Sequence, residues 1–338
     1  EKPVYVGEDG SMKTVTITKN EAGQRMDKML AKYLNLAPKS FIYKMIRKKN
    51  ITLNGKRCDG SEKLAEGDEI SLFLSDETIG KFSQVKIQKV RPARLTVVYE
   101  DEDVLMVSKP SGMLSQKASP SDESLVEHIT DYLLSSGQLT ETDLRSFRPG
   151  ICNRLDRNTS GLIVAGKSLK GLQAMSEAFK NRSLKKYYLC IVRGKITEGS
   201  RISGYLRKDE RTNKVTVETT EKDGCLPIET EYLPLDTNGD STLLLVDLIT
   251  GRSHQIRAHL ASIGHPIAGD TKYGDPKLNQ VWRGKYRVSS QLLHAWKLVF
   301  PQKEAPFSRL SGKTFEAPLP KEFLKVMDGE GLSLSKEK

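Results

Sequence analysis

Gly150-Ile-Cys-Asn-Arg-Leu-Asp-Arg-Asn-Thr-Ser-Gly161 is a polar, turn-rich loop that runs without a break into the apolar stretch Leu162-Ile-Val-Ala165. A short continuous apolar run bounded by turn residues reads as a strand buried on both faces. The loop therefore sits at the edge of a core strand. Asp156 lies between Arg154 and Arg157, and a carboxylate flanked by cations is expected to stay ionised well below neutral pH. Asn158, Thr159, Ser160 and Gly161 supply turn residues and hydroxyls that can fix the loop backbone. Capping a turn is the commoner role for a lone Asp. The paired arginines and the strand-edge position add weight to a chemical role without deciding between the two readings.

Two further clusters lie downstream. Thr250-Gly-Arg-Ser-His-Gln-Ile-Arg-Ala-His259 follows the strand-like run Thr242–Leu248, and Ser253 is the expected N-cap of a helix with Ile256, Leu260 and Ile263 inward. A helix start concentrates unpaired N–H groups and partial positive charge. With Arg252 and Arg257 it forms an anion site for a phosphate or carboxylate. Zinc does not fit: His254 and His259 are five apart, about 140° around a helix, and Gln255 stands where a zincin needs Glu. The third cluster is Lys185-Lys-Tyr-Tyr188 at a strand head, where a Tyr can pack in the core or stack on a nucleobase.

Working outward, strands are expected at Leu95–Tyr99, Val104–Ser108, Tyr187–Arg193, Val215–Glu218 and Leu292–Phe300 as well, with helices near 123–136, 169–181 and 253–263. Nearer the start, Met26, Met29, Leu30, Tyr33 and Leu34 make one apolar helix face. After Pro38, Ser40 is the expected cap of a second helix with Phe41, Ile42, Met45 and Ile46 inward. Asn54-Gly55 between Ile51-Thr-Leu53 and Lys56-Arg-Cys58 predicts a hairpin, and Glu69–Leu74 a further strand. Residues 13–75 thus form a small α+β unit. The polar stretch 76–93 reads as a linker, 94–327 as a larger mixed unit, and 328–338 as a polar tail.

Charge is concentrated in the small unit. Lys39, Lys44, Arg47, Lys48, Lys49, Lys56 and Arg57 are basic, and no Asp or Glu occurs between 39 and 57. A single-sign surface of this kind suits phosphate, so RNA or DNA contact is expected. Across 338 residues, Lys and Arg number 54 against 43 Asp and Glu, a net +11 that points to a polyanion partner. With 37% hydrophobic and 29% charged residues, the chain is neither disordered and acidic nor collagen-like. Its apolar runs fall far short of the roughly 18 residues that span a bilayer, so no membrane role is expected. Cys58, Cys152, Cys190 and Cys225 form no CxxC pair. Reduced thiols are the default, and no metal site is expected. No secretory signal leads the chain from Glu1, and a cytoplasmic protein is expected. No P-loop, dinucleotide fingerprint or PLP lysine context is present, so the chemistry is expected to need no cofactor. A glycosidase uses two carboxylates of different pKa, and only one is prominent here.

Arg154-Leu-Asp-Arg-Asn-Thr-Ser-Gly161 resembles the catalytic loop of the RluA-type pseudouridine synthases, HRLDxxTSG. Glu100-Asp-Glu-Asp-Val-Leu-Met-Val-Ser-Lys-Pro-Ser-Gly112 is similar to the family's opening strand and Lys-Pro-x-Gly turn, and Lys186-Tyr-Tyr188 to its KxY strand. Gly251-Arg-Ser-His-Gln-Ile-Arg257, Gly264-His-Pro266 and Gly269-Asp270 are similar to its GRxHQIR, GHP and GD segments. The match covers about 95–320. Residues 13–75 resemble the small RNA-binding domain of ribosomal protein S-four, through Arg25-Met-Asp-Lys-Met-Leu30, Ile51-Thr-Leu-Asn-Gly55 and Gly67-Asp68. One departure stands out: Asn153 occupies the place of the family's usual His.

The resemblance implies an α+β protein: an S-four-like domain, then a catalytic domain with a mixed, largely antiparallel sheet flanked by helices. It implies an isomerase that turns uridine into pseudouridine in RNA without a cofactor, since the two share the same atoms. It implies that Asp156 attacks C1′ of the uridine or removes a C2′ proton. The base then detaches at N1, turns and rejoins through C5. It implies that Arg257 pairs with Asp156, that Tyr188 stacks on the flipped base and assists proton loss at C5, and that Arg154 fills the gap left in the RNA. Arg252, Lys44, Arg47, Lys48, Lys49, Lys56 and Arg57 are the expected RNA contacts. The expected substrate is 23S ribosomal RNA, with transfer RNA the nearer alternative, acted on by a monomer. A non-catalytic RNA-binding or ribosome-assembly factor is the alternative of a different class.

Overall fold

The structure, a computed structural model, describes residues 12–91, 93–303 and 307–334. Residues 1–11, and 335–338 of the expected polar tail, lie outside the described residues.

The first unit opens with strand β1 (Lys13–Thr16) and two helices, α1 (Met26–Tyr33) and α2 (Lys39–Arg47), followed by β2 (Ile51–Leu53) and β3 (Glu69–Leu72). The helical spacing read from the sequence is the buried face: Met26, Met29, Leu30 and Tyr33 of α1 pack with Ile42, Met45 and Ile46 of α2. These helices lie against an antiparallel sheet of order β1-β3-β2. Two local expectations are corrected. Helix α2 is capped at Pro38 rather than Ser40, as a ring with fixed φ suits a helix start. Asn54 and Gly55 do turn the chain with positive φ, but Lys56-Arg57-Cys58 forms no strand. Only Lys56 bridges back to Leu53, and β2 pairs with β3 instead.

The expected linker holds a helix, α3 (Asp76–Phe82), capped by Ser75, whose hydroxyl accepts the Thr78 N–H. Its Ile79 joins the first unit's core, so burial keeps this stretch with that unit and corrects a linker starting at 76. Several contacts tie the first unit to the larger one. Ser146 donates its hydroxyl to buried Glu21 at 2.6 Å, Lys19 pairs with Glu102 at 3.4 Å, and Arg145 lies over the Tyr33 ring.

The larger unit runs β4 (Thr96–Glu100), β5 (Val104–Lys109), α4 (Leu125–Ser135), β6 (Gly150–Ile151), β7 (Ser160–Gly166), α5 (Leu169–Lys180) and β8 (Lys185–Arg193). It continues with β9 (Ser200–Asp209), β10 (Lys214–Glu218), β11 (Leu226–Thr237), β12 (Ser241–Leu248), α6 (Gln255–Ser262), α7 (Pro276–Tyr286), β13 (Leu293–Val299), β14 (Thr314–Glu316) and α8 (Lys321–Glu330). These strands form a sheet of order β10-β9-β11-β12-β8-β13-β7-β5-β4, with β14 on β13 and β6 on β7. The β13–β7 pair is parallel, and the other named pairs are antiparallel. This is the α+β architecture that the resemblance implied.

Both faces of the central strands are covered, which explains their unbroken apolar runs. Val104, Met106, Leu162 and Val164 face Met175 and Ala178 of α5, while Leu105, Val107, Ile163 and Ala165 face Leu125, Ile129 and Leu133 of α4. Farther along, Leu189, Ile191 and Leu243 pack on α7 and α8, whereas Cys190, Val192, Leu244 and Val246 pack on Ile256 and Leu260 of α6. Helix α8 extends past 327 and Leu332 is buried, so the chain is packed to at least that point and a tail starting at 328 is corrected.

At Gly161, where β7 meets β13, φ is +120° and an added Cβ would lie 2.2 Å from the Ala295 carbonyl oxygen. Glycine alone permits that approach. It brings the Asp156 loop to the centre of the sheet beside β8.

Candidate active site

The Asp156 loop is held by its neighbours at many points. Asn153 donates Nδ2 to the Leu162 carbonyl at 3.1 Å and accepts the Val164 N–H at 2.9 Å, which ties the loop's start to β7. Ser115 donates its hydroxyl to the Leu155 carbonyl at 2.7 Å and accepts the Leu155 N–H at 3.0 Å. Thr159 N–H donates to the Asp156 carbonyl at 3.0 Å, and Ser111 donates to the Asn158 carbonyl at 2.9 Å.

Lys109, at the end of β5, anchors the far side. It is fully buried, and its Nζ donates to the carbonyls of Pro110, Met113 and Arg157 at 3.0, 2.7 and 2.9 Å. Burial pulls this amine down to about 7, and the charge of Asp156 opposes that pull. Three carbonyl acceptors match three ammonium protons, so the charged form is the one that fits.

Asp156 itself is partly open, with 28% of its side chain exposed. Arg257, buried on α6, donates Nη1 to Asp156 Oδ2 at 2.9 Å. Its other side is clamped by Asp270, to which Nε and Nη2 donate at 2.6 and 3.0 Å. Burial works against the guanidinium charge. The hydrogen bonds and charge of Asp270, then those of Asp156, overcome it and hold Arg257 above the ordinary arginine value. Burial likewise pushes Asp270 up, but Arg257 and the N–H groups of Tyr273 and Lys272 hold its carboxyl below the usual range. Asp270 is placed by Gly269, whose φ is +84° and whose added Cβ would lie 2.1 Å from the Ser290 carbonyl oxygen.

Tyr188 lies on β8, paired with Val246 of β12 and Ala295 of β13. Burial and the Asp156 charge push its phenol well above the usual value, so it stays protonated at neutral pH. A neutral ring suits stacking on a base better than it suits work as an ionised proton acceptor. His254 caps α6 with φ 55° and ψ 16°, and this corrects the expectation of Ser253 as the cap. Its Nε2 lies 3.9 Å from Asp156 Oδ2, and its Nδ1 lies 2.9 Å from the Tyr273 hydroxyl.

A family model described as RNA pseudouridylate synthase matches residues 103–262, and one for the S4 domain matches 24–70. Ribosomal large subunit pseudouridine synthase C of Escherichia coli strain K12 is 32% identical over 307 residues, which cover 87% of this chain and 90% of that protein. The protein of the same name from Vibrio vulnificus is 30% identical, with 93% and 95% covered. The chain belongs to the RNA pseudouridylate synthase family. The solved structure of human RNA Pseudouridylate Synthase Domain Containing 4 shares the fold at a TM-score of 0.57 and 19% identity, covering 70% of this chain and 94% of that one.

In this pseudouridine synthase, the expected residues fall into two places. Asp156 and Arg257 are in contact, and the charge of Asp156 reaches Tyr188. Arg154 is exposed on the same loop. Arg252 is half-buried beside the start of α6, its Nε buried with no hydrogen-bond partner among the described residues. Lys44, Arg47, Lys48, Lys56 and Arg57 are exposed on the first unit, and Lys49 is half-buried. Exposed Tyr43 stands among them on α2 and donates its hydroxyl to Asp27 at 2.8 Å. Sequence reading gave no role to Lys109, Asp270 or Tyr273, and it weighed His254 only as a zinc ligand. The Lys-Pro-x-Gly turn and the Gly-Asp pair marked two of these places, but no spacing rule links Asp270 to Arg257 or Tyr273 to His254. Among the described residues, no helix is long and apolar enough to cross a membrane.

Proposed function

We propose that this protein isomerises uridine in large-subunit, 23S-type ribosomal RNA, and that Asp156 is its catalytic carboxylate. The observation that carries the reading is the 2.9 Å contact between Arg257 and a partly exposed Asp156. The names of the relatives and the match to an S4 domain support ribosomal RNA as the substrate.

On this reading Asp156 attacks C1′ of an extruded uridine or takes its C2′ proton. The bond from C1′ to N1 breaks, the base turns, and a bond forms from C1′ to C5 as the carboxylate leaves C1′ or, on the second route, as the carboxylic acid returns the proton to C2′. C5 loses its proton and N1 gains one, so the product has the atoms of the substrate. Arg257 aims the carboxylate. Tyr188 stacks on the turning base, and Arg154 occupies the space that the uridine leaves. Extrusion costs a few kcal/mol, least in a loop or bulge. Arg252 and the first unit's Lys44, Arg47, Lys48, Lys49, Lys56 and Arg57 hold the phosphates. The protein acts as a monomer in the cytoplasm.

Release of tritium from 5-tritiated uridine in 23S transcripts tests this, because only isomerisation labilises that hydrogen. The wild type should release tritium, and Asp156→Asn should not. Equal release by the variant would remove Asp156 from the chemistry. Release from transfer RNA alone would replace the substrate, and no release from any RNA would favour a binding factor.

A further inference from the structure

His254 holds a backbone conformation that few residues with a Cβ adopt, φ 55° and ψ 16°, directly beside Asp156. Its ring is fixed from one side by Tyr273. The two rings meet edge to face at 5.7 Å, and Nδ1 lies 2.9 Å from the Tyr273 hydroxyl. Tyr273 is fixed in turn by the Val215 N–H, which donates to its oxygen at 2.9 Å, and by Arg257 over its face at 5.2 Å.

This chain of contacts sets the tautomer. The phenol oxygen already accepts from Val215, and among the described residues its proton has no acceptor except His254 Nδ1. The phenol therefore donates to Nδ1, and the ring's own hydrogen sits on Nε2. Burial holds the imidazole below its usual pKa. Asp156 opposes this, while Arg257 and Lys272 add to it, and the ring is neutral at neutral pH. The Nε2–H lies 3.9 Å from Asp156 Oδ2, too far for a hydrogen bond, and that oxygen already accepts from Arg257. The Nε2–H is thus left beside the carboxylate with no hydrogen bond to it.

We infer that His254 donates Nε2–H to the 2′-oxygen of the target nucleotide, with Tyr273 as the positioning residue that fixes its tautomer. The inference rests on the reading of Asp156 given above, since a carboxylate acting at C1′ or C2′ brings the 2′-hydroxyl to its side. A neutral imidazole suits a hydroxyl better than a phosphate, which calls for a cation. The 2′-hydroxyl is the group that separates RNA from DNA, so His254 is a residue that selects the sugar.

The test uses the full chain and two 23S transcripts that differ only in a ribose or 2′-deoxyribose at the target uridine. Wild type should lose roughly tenfold or more in kcat/KM on the deoxy transcript, the worth of one hydrogen bond. His254→Gly tolerates the left-handed backbone. It should lose as much on the ribose transcript and nothing further on the deoxy one. Tyr273→Phe keeps the imidazole but frees it, and should shrink the deoxy penalty. A wild-type penalty that persists unchanged in both variants, or no penalty in the wild type, overturns the inference while leaving the isomerase reading intact. A wild type inactive on the ribose transcript sinks that reading, and this inference with it.

Discussion

Arg257 and Asp156 lie 101 positions apart in the chain and meet at 2.9 Å. The pairing depends on a guanidinium, because the same side chain must also give two nitrogens to Asp270. A lysine has one nitrogen and cannot hold both carboxylates in this geometry. Arg257→Lys should therefore lower the isomerisation rate by about 100-fold and stability by about 2 kcal/mol. Tritium release and urea denaturation measure the two effects. Near-normal rates would show that Asp156 is aimed by something else.

Asp270 is buried and holds Arg257, the side chain that contacts Asp156. Asp270→Asn leaves a buried guanidinium without its countercharge, which typically costs about 3 kcal/mol or more. We expect a clear drop in melting temperature and a fall in kcat larger than any rise in KM. A rise in KM alone would assign Asp270 to RNA binding.

Asn153 occupies the place of the family's usual His and bonds to β7 at two backbone positions. Asn153→Ala leaves the Val164 N–H and the Leu162 carbonyl without that partner, at about 1–3 kcal/mol. The loss should show in stability more than in the chemical step under single-turnover conditions. A variant as stable as the wild type would mean that the loop needs no such tie.

Lys44, Arg47 and Lys48 stand exposed on or beside α2. If they meet phosphates, replacing all three by Gln should flatten the slope of log affinity against log salt by about 2. Fluorescence anisotropy across a salt series reads this directly. An unchanged slope would move the RNA elsewhere on the protein.

His294 is fully buried, bonded to Ser160 at 2.8 Å, and its pKa is pushed down to about 4 by burial. The unfolded chain takes up this proton near the ordinary value of 6.5. Between those values the unfolded state holds more protons, so acid favours it. The stabilisation is complete above 6.5 and is lost as the pH falls toward 4, over a span of about 3 kcal/mol. Urea midpoints at about pH 7 and pH 4.5 should differ more for the wild type than for His294→Gln.

Much of this organisation was legible in the sequence where one rule decides a segment. The spacing of Met26, Met29, Leu30 and Tyr33 announced α1, and the apolar run at Leu162 announced a strand covered on both faces. Strands β9 and β11 gave no such signal. Both are long and partly exposed, one carrying Gly204 and the other Pro227 and Pro234, residues that ordinarily argue against a strand. Helix α7 was hidden by its polar composition and by Gly284. The Asn54-Gly55 turn was read correctly, but Lys56-Arg57-Cys58 leads away from Leu53 because β3 takes the pairing edge of β2. At the site, Asp156 and the basic start of α6 were readable as local chemistry. The clamp by Asp270 and the brace by Tyr273 were not, since both are set by where β12 and the chain after α6 return in space.

Where Gly161 passes Ala295, the two main chains leave no room for a methyl group. The bearing of the Asp156 loop is thus built into backbone masonry and cannot be retuned by exchanging side chains nearby. A search for adjustable parts should leave that junction alone and begin in the small basic unit, whose charges sit on mostly exposed side chains.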